Sequence, residues 1–125
     1  IIMAYFHNNS AGSSATIIYV NYVDGGGDNF QGQHDGVSST TDHGTGDFTV
    51  NFSTTFSDTH YAFFDGCSSE NTNGNRGHNG CNVKDNSLKA TNSCRVISYY
   101  GSTGSGDGSV TSCKTTTMAF IGHQA

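Results

Sequence analysis

The sequence predicts an all-β fold, a small antiparallel β-sandwich-like domain with long loops rich in Gly, Asn and Ser. More than half of the 125 residues are Gly, Ser, Thr, Asn or Asp, which are typical of turns and solvated strand surfaces. The chain has no Pro, no Trp, one Leu and one Glu, so residues that favour helices are scarce. The larger apolar residues are mainly Ile, Val, Phe and Tyr, which pack well on pleated sheets.

Two-residue alternation of apolar and polar side chains indicates the strands. It is clearest in DFTVNF at residues 47–52, where Phe48, Val50 and Phe52 point to one side of the predicted strand. Further predicted strands are residues 3–6, 15–23, 61–64, 95–100 and 110–121, each bounded by Gly, Asn, Asp or Ser clusters. Glycine-rich turns are predicted between them at residues 23–28, 31–36, 42–47 and 101–108.

Length and charge limit the classes of protein to consider. One domain over residues 1–125 is expected, with a thin core. The net charge is -5 and the five basic residues are scattered singly, which argues against nucleic acid and against an anionic membrane surface. No apolar run is long enough for membrane insertion. Because the chain opens on Ile1, we expect a fragment or a processed product.

Four cysteines permit three complete disulfide pairings, and spacing favours one of them. The segment between Cys67 and Cys81 holds no apolar residue, so burial cannot order it. A disulfide closing a loop of about 15 residues stabilises by ~3 kcal/mol in the chain-entropy model. We therefore predict a Cys67–Cys81 bond around a polar loop.

The second predicted bond joins Cys94 to Cys113. The glycine-rich residues 101–108 predict a hairpin tip centred between Gly104 and Ser105, which puts the two cysteines nearly opposite each other. The alternative is four small buried thiols. A zinc site is less favoured, because the chain has no C-x-x-C.

No catalytic motif is present, so we predict no enzymatic activity and no cofactor. Most Asp residues lie beside Gly, Ser or Thr in expected turns, where a carboxylate bonds its own backbone. The chain has no nucleophile elbow and no phosphate-binding glycine motif at a strand-helix junction.

The sequence assigns no residue to a metal site. The six histidines are spread singly, with no H-x-H or H-x-x-x-H. Two alternatives stay open: histidines meeting at the axis of an oligomer, and calcium held by the Asp-Gly loops VDGGGD or DHGTGD. A plain turn is the favoured interpretation of both loops.

Binding is the better class of function, and the segment from residue 67 to residue 81 is where we expect it. Its short donors and acceptors are able to reach sugar hydroxyls or a polar protein surface. The candidate binding residues are Asn71, Asn73, Asn75, Arg76, His78 and Asn79. The alternative is a solvated loop with no partner.

A family resemblance adds to these predictions. Residues 37–64 read VSSTTDHGTGDFTVNFSTTFSDTHYAFF. This segment resembles a module of tail-fibre and other virion-fibre proteins of tailed bacteriophages, marine ones especially. His43 and His60 stand where that module usually has Asn, and the aromatic strand expected before it lacks the usual Trp. The C-terminal half, with its cysteines, departs from the module.

The resemblance implies a non-enzymatic virion structural protein, a tail-fibre or appendage domain that contributes to host-surface attachment. Such fibres are usually homotrimers, and association would bury apolar residues such as Tyr5, Phe6, Phe63 and Phe64. The implied partners are other virion proteins and a bacterial surface glycan or protein. The implied location is the surface of the extracellular particle, with this chain as the C-terminal domain of a longer fibre.

Two further interpretations stay open. One is a capsid decoration or collar fibre with a purely structural role, and the other is a secreted carbohydrate-binding domain. Phage proteins assemble in a reducing cytoplasm, so any disulfide would form after release.

Overall fold

The structure confirms the predicted all-β class. The computed structural model describes residues 15–22, 34–68, 78–101, 109–110 and 115–125. Within these residues the strands are Ala15–Tyr22 (β1), Val37–Gly44 (β2), Asp47–Phe52 (β3), Ala62–Ser68 (β4), His78–Val83 (β5), Lys89–Ala90 (β6), Ser93–Gly101 (β7), Ser109–Val110 (β8) and Thr115–His123 (β9). In the same residues a 3-10 turn at Asn86–Leu88 is the one helical element, and no helix is long and apolar enough to cross a membrane.

The strands form two antiparallel sheets that pack together. Sheet A has the order β1-β9-β4, and sheet B has the order β2-β3-β7-β5, with β6 and β8 also paired to β7. The Phe56 N–H donates to the Thr91 carbonyl at 2.9 Å, just before β7, and Phe56 also bridges to Gln124, just after β9. The start of β7 and the end of β9 therefore lie at the same end of the sandwich.

Alternating side chains fill one core between the sheets. On β3, Phe48, Val50 and Phe52 are buried while the residues between them are half-exposed, which confirms the predicted alternation. The buried apolar side chains are Ile18, Val20, Tyr22, Met118 and Phe120 from sheet A, Val37, Phe48, Val50, Phe52, Cys81, Cys94 and Val96 from sheet B, and Phe56 and Tyr61 from the segment between the sheets. Burial of this apolar surface is the main favourable term in folding.

An aromatic cluster closes the core at the end where β9 finishes. Phe56 and Tyr61 stack with their ring centroids 4.6 Å apart, and the Phe52 ring meets the Phe56 ring edge-on at 5.4 Å. Phe120 lies against Phe52 at 4.9 Å and against Phe63 at 5.3 Å. Offset and edge-on contacts of this kind stabilise beyond simple area burial.

The tight turn predicted at residues 42–47 is confirmed between β2 and β3. Gly44 and Gly46 have φ values of 120° and 66°, a backbone region that glycine enters without steric cost. An Asp42 carboxylate oxygen accepts a hydrogen bond from the Gly44 N–H at 2.8 Å. The carboxylate thus bonds its own backbone, as predicted for Asp in turns.

Strand β2 was not predicted, because its sequence VSSTTDHG contains one large apolar residue. Hydrogen bonds to β3 stabilise this strand in place of an alternating apolar pattern. The Asn51 side-chain amide donates to the Ser39 hydroxyl at 3.0 Å and to the Thr41 hydroxyl at 3.1 Å, across the two strands. Polar cross-strand pairs therefore stabilise this hairpin on its solvent side.

Two predicted segments need correction. The polar loop predicted from residue 67 to residue 81 is shorter, because Cys67 and Ser68 complete β4 and the last residues belong to β5. The strand predicted at residues 110–121 is divided between β8 in sheet B and β9 in sheet A. A sheet ladder uses backbone groups, so polar residues such as those of β5 pair without an apolar pattern. The strand predicted at residues 3–6 lies outside the described residues.

The hairpin predicted around Gly104 and Ser105 has the predicted register, since Tyr99 pairs with Val110. The ladder does not continue to Cys94, because β3 occupies the same edge of β7 and pairs Val50 with Cys94.

The structure supports neither of the two predicted disulfides. Cys94 is a buried thiol. Cys113, its predicted partner, lies outside the described residues, as does the side chain of Cys67, the predicted partner of Cys81. Both pairings stay predictions.

Candidate functional site

The strands that flank the predicted binding loop terminate at one end of the sandwich, named here the loop end. In sheet A, β4 ends at Ser68 beside Thr115, the first residue of β9. In sheet B, β5 begins at His78 beside Gly101, the last residue of β7. The start of β7 and the end of β9 share the opposite end, so these four strand termini share the loop end. Loops carried on a rigid sheet scaffold are frequent binding sites.

The six predicted binding residues divide into two groups. Asn71, Asn73, Asn75 and Arg76 lie outside the described residues. His78 and Asn79 are not loop residues but the first two residues of β5, where their backbones pair with Gly101 and Tyr100. The predicted site is therefore partly a strand edge, and its role in binding stays a prediction.

A tyrosine that the sequence analysis did not single out lies near the loop end. Cys94, Val96 and Ser98 point into the core, so Arg95, Ile97 and Tyr99 point outward from β7. The Tyr99 ring extends across Gly80 on the neighbouring strand: a Cβ at Gly80 would lie 2.5 Å from Tyr99 Cζ and 2.9 Å from Cε2. This pairing depends on the register of β5 with β7, which no local sequence pattern shows.

The outer face of sheet B, formed by Thr49, Asp47, Arg95, Ile97, Tyr99, Gly80, Asn82 and Lys84, carries an ion-pair cluster. Arg95 binds Asp47 through two nitrogens, with Nε to Oδ1 at 2.8 Å and Nη2 to Oδ2 at 2.9 Å. Lys84 Nζ reaches Oδ2 of the same carboxylate at 2.5 Å. The hydrogen bond from Arg95 is the main reason that the pKa of Asp47 falls to about 2, with Lys84 adding to it against the opposing effect of burial. The pKa of Arg95 is raised by the same contact.

Asp47→Asn is expected to lower the free energy of unfolding by about 1 kcal/mol at pH 7, since solvent around Lys84 and Arg95 screens part of the charge interaction. The pKa of Asp47 is depressed in the folded state, so its contribution is present above the ordinary value of 3.8 and is lost as the pH falls through about 2. Urea unfolding of both proteins from pH 7 to pH 2 measures the difference.

We expect the gap between wild type and Asp47→Asn to close between pH 4 and pH 2. Asp42→Asn is the matched control, because Asp42 is exposed and its carboxylate bonds the Gly44 N–H of its own turn. A gap of constant size down to pH 2 would contradict the assigned role of Asp47.

Tyr61 and Lys89 border a shallow open pocket of about 400 Å³ lined by Thr59, His60, Asn86 and Lys89. Lys89 Nζ donates to the Tyr61 carbonyl at 2.8 Å and lies 4.3 Å from the centre of the Tyr61 ring. The Tyr61 hydroxyl bonds the carbonyls of Ala90 and Ser93, and burial raises its pKa. The Tyr61 hydroxyl and the Lys89 ammonium are therefore both held in contacts within the domain.

The remaining polar chemistry fits structural roles. Burial raises the pKa of the Cys94 thiol, which disfavours the reactive thiolate. Asp58 and Asp85 accept hydrogen bonds from backbone N–H groups two residues ahead, which lowers the pKa of both carboxyls. Among the residues that the structure describes, no three His, Cys, Asp or Glu side chains are grouped to hold a metal ion.

The outer face of sheet A has an apolar centre. It is formed by alternate residues of three strands: Ala15, Ile17, Tyr19 and Asn21 of β1, Thr117, Ala119, Ile121 and His123 of β9, and Ala62, Phe64 and Gly66 of β4. Ile17 and Phe64 are each 57% exposed. Two cross-strand rows, Ile17-Ile121-Ala62 and Tyr19-Ala119-Phe64, make the patch continuous. The exposed Asp35 pairs with Tyr19 and borders the patch on its β1 side.

No family model, curated protein or solved structure matches the chain. The resemblance of residues 37–64 to phage fibre modules therefore stays a prediction.

Proposed function

We propose that the chain is a non-enzymatic structural domain of a phage virion, part of a tail fibre or appendage that contributes to attachment to the host surface. The observation that carries the proposal is the use of the residues that resemble phage fibre modules. They form the β2–β3 hairpin and supply Phe48, Val50, Phe52, Phe56 and Tyr61 to the core. This segment therefore acts as a scaffold, which suits a structural role rather than catalysis.

The outer face of sheet A supports assembly into the proposed homotrimer. An exposed continuous apolar face is typical of an interaction site. The chain has a net charge of -5, so two copies repel each other on most surfaces. The three strands of this face place no carboxylate on it, and Asp35 lies only at its β1 border. Tyr19 on β1 and Phe64 on β4 flank the smaller Ala119 of β9. In a closed ring of copies, the β1 side of one chain contacts the β4 side of the next.

The structure changes which residues this interface would use. Phe63 was expected to be buried by association, but it packs inside the domain against Phe120. Phe64 points to the outer face instead. Tyr5 and Phe6 lie outside the described residues.

Location on the particle tests the proposed function. We expect an antibody raised against the purified chain to label fibres or appendages of intact virions in immunogold electron microscopy. The same antibody is expected to slow adsorption of those virions to host cells, because attachment then depends on many weak sites presented together. Pre-immune serum is the control.

Label confined to the capsid or collar, with normal adsorption, would favour the decoration or collar interpretation over attachment. Absence of label from particles whose lysate contains the chain would contradict a virion role altogether. A secreted carbohydrate-binding domain would then be the better interpretation.

A further inference from the structure

Near the loop end, the outer face of sheet B presents an aromatic ring held in a defined position. Gly80 and Tyr99 are cross-strand partners, so both point to the outer face. Gly80 is buried although it lies on that face, whereas Tyr99 is half-exposed. The tip of the ring therefore covers the glycine, and the tyrosine side chain stays partly accessible to solvent.

Glycine at position 80 is what permits this arrangement. Any Cβ at position 80 would lie within 3 Å of two ring carbons of Tyr99, which is too close for carbon atoms that are not bonded to each other. The ring is consequently supported by the backbone of β5 instead of standing free above the sheet. A side chain fixed in this way loses little conformational entropy when a ligand binds.

The next row of the sheet supplies polar groups beside the ring. Asn82, Ile97 and Asp47 are cross-strand neighbours in that row. Asn82 is exposed, and its amide can both donate and accept hydrogen bonds. Ile97 extends the apolar surface next to the tyrosine.

The charges on this face offer an anionic ligand no uncommitted cation. Its two cations, Arg95 and Lys84, are both bound to the Asp47 carboxylate. An acidic group would have to compete with that carboxylate. A neutral ligand with one apolar face and hydroxyl groups along its edge would complement the Tyr99 ring and the neighbouring Asn82 amide.

We propose that Tyr99 on Gly80, together with Asn82, forms a binding platform for a neutral pyranose sugar. The electron-rich face of the ring attracts the C–H groups of the sugar's apolar face, and Asn82 bonds its hydroxyls. The inference deepens the proposed attachment function and rests on it for its biological setting. It names the bacterial surface glycan as the ligand class.

The experiment uses a printed array of neutral and acidic bacterial surface polysaccharides, followed by titration of methyl pyranosides into the full chain observed by NMR. We expect binding to neutral glycans and shifts of the Tyr99 ring signals. Tyr99→Ala and Gly80→Ala are expected to weaken binding at least about fivefold, the first by removing the ring and the second by displacing it. Tyr99→Phe should bind within about threefold of wild type, because it keeps the ring.

Leu88→Ala is the matched control, an apolar truncation on an exposed turn away from the platform. Thermal unfolding of each variant identifies any loss of fold, and Gly80→Ala keeps the test valid if Tyr99→Ala unfolds. Failure of wild type to bind any neutral glycan, or binding unaffected by both Tyr99→Ala and Gly80→Ala, would overturn the inference. So would binding confined to acidic glycans.

The sugar-binding experiment can fail while the proposed virion function holds, and the reverse is also possible. Labelled fibres on virions together with no sugar binding would remove the platform alone. Sugar binding by a chain absent from particles would remove the virion role and keep the platform.

Discussion

Replacing Phe64 with aspartate is expected to convert trimers of the chain into monomers. The Phe64 ring is 57% exposed on the outer face of sheet A, where the proposed subunit contact would bury it. Phe64→Asp would put an unpaired carboxylate of every copy into that contact, and burying such a charge costs several kcal/mol. Light scattering after size-exclusion chromatography is expected to give three times 13.2 kDa for wild type and a single chain for the variant.

Leu88→Asp is the control for this substitution. Leu88 is an exposed apolar residue on the 3-10 turn and is not part of the outer face of sheet A. The change adds the same charge elsewhere, so this variant should stay trimeric. A monomeric wild type at micromolar concentration, or a trimeric Phe64→Asp, would show that sheet A does not form the contact.

Gly122→Ala is expected to lower the free energy of unfolding by about 3 kcal/mol. Gly122 lies on β9 beneath the stacked Phe56 and Tyr61 rings, and a Cβ there would lie 2.8 Å from Tyr61 Cβ and 2.9 Å from Phe56 Cδ1. Tyr61 Cβ is fixed to the backbone, so rotation of a side chain cannot relieve the clash. Overpacking of a close-packed core costs about 1–3 kcal/mol, and we expect the upper part of that range. Denaturant unfolding of both proteins measures the loss.

Gly66→Ala provides the matched control on the same sheet. A Cβ at Gly66 would meet its nearest atom at 3.9 Å, an ordinary contact. This variant should be neutral or more stable by up to about 1 kcal/mol, because alanine restricts the unfolded chain. Equal losses at Gly66 and Gly122 would mean that backbone freedom, and not the aromatic contact, explains the effect.

The two ends of the sandwich have different physical characters. Phe56, Tyr61 and Gly122 close the core at one end with tightly packed aromatic rings. The loop end carries the termini of β4 and β5 and, close by, the tyrosine platform. A rigid end that fixes how the two sheets pack suits a domain whose proposed recognition surface lies at the other end.

Much of the fold could be predicted from local patterns. Phe48, Val50 and Phe52 alternate along β3 with polar residues, and the glycines of the β2–β3 turn adopt the positive φ that the turn needs. Strand β2 could not be predicted this way, because it lacks alternating apolar residues and is held mainly by hydrogen bonds that cross to β3. Residues 110–121 read as one apolar strand, but pairing partners in different sheets divide it.

The candidate sites were harder to predict, because each depends on cross-strand register. Arg95 and Lys84 are isolated basic residues in the sequence, and only the pairing of β7 with β3 on one side and with β5 on the other brings them to Asp47. Gly80 and Tyr99 are unremarkable residues until β5 pairs with β7. His78 and Asn79 were expected in a loop, because their polar sequence does not show that they pair with the edge of β7.

The sequence by itself determined the all-β class, the alternation that builds the core, the β2–β3 turn and the register of the β7–β8 hairpin. These features depend on contacts between near neighbours, or on glycine and β-branched residues whose backbone preferences act locally. Only the tertiary structure decided which faces the side chains share: Asp47 with Arg95, Tyr99 with Gly80, and Ile17 with Ile121 and Ala62. Such faces join residues far apart in the chain, and the pairing of strands that creates them is a property of the whole domain.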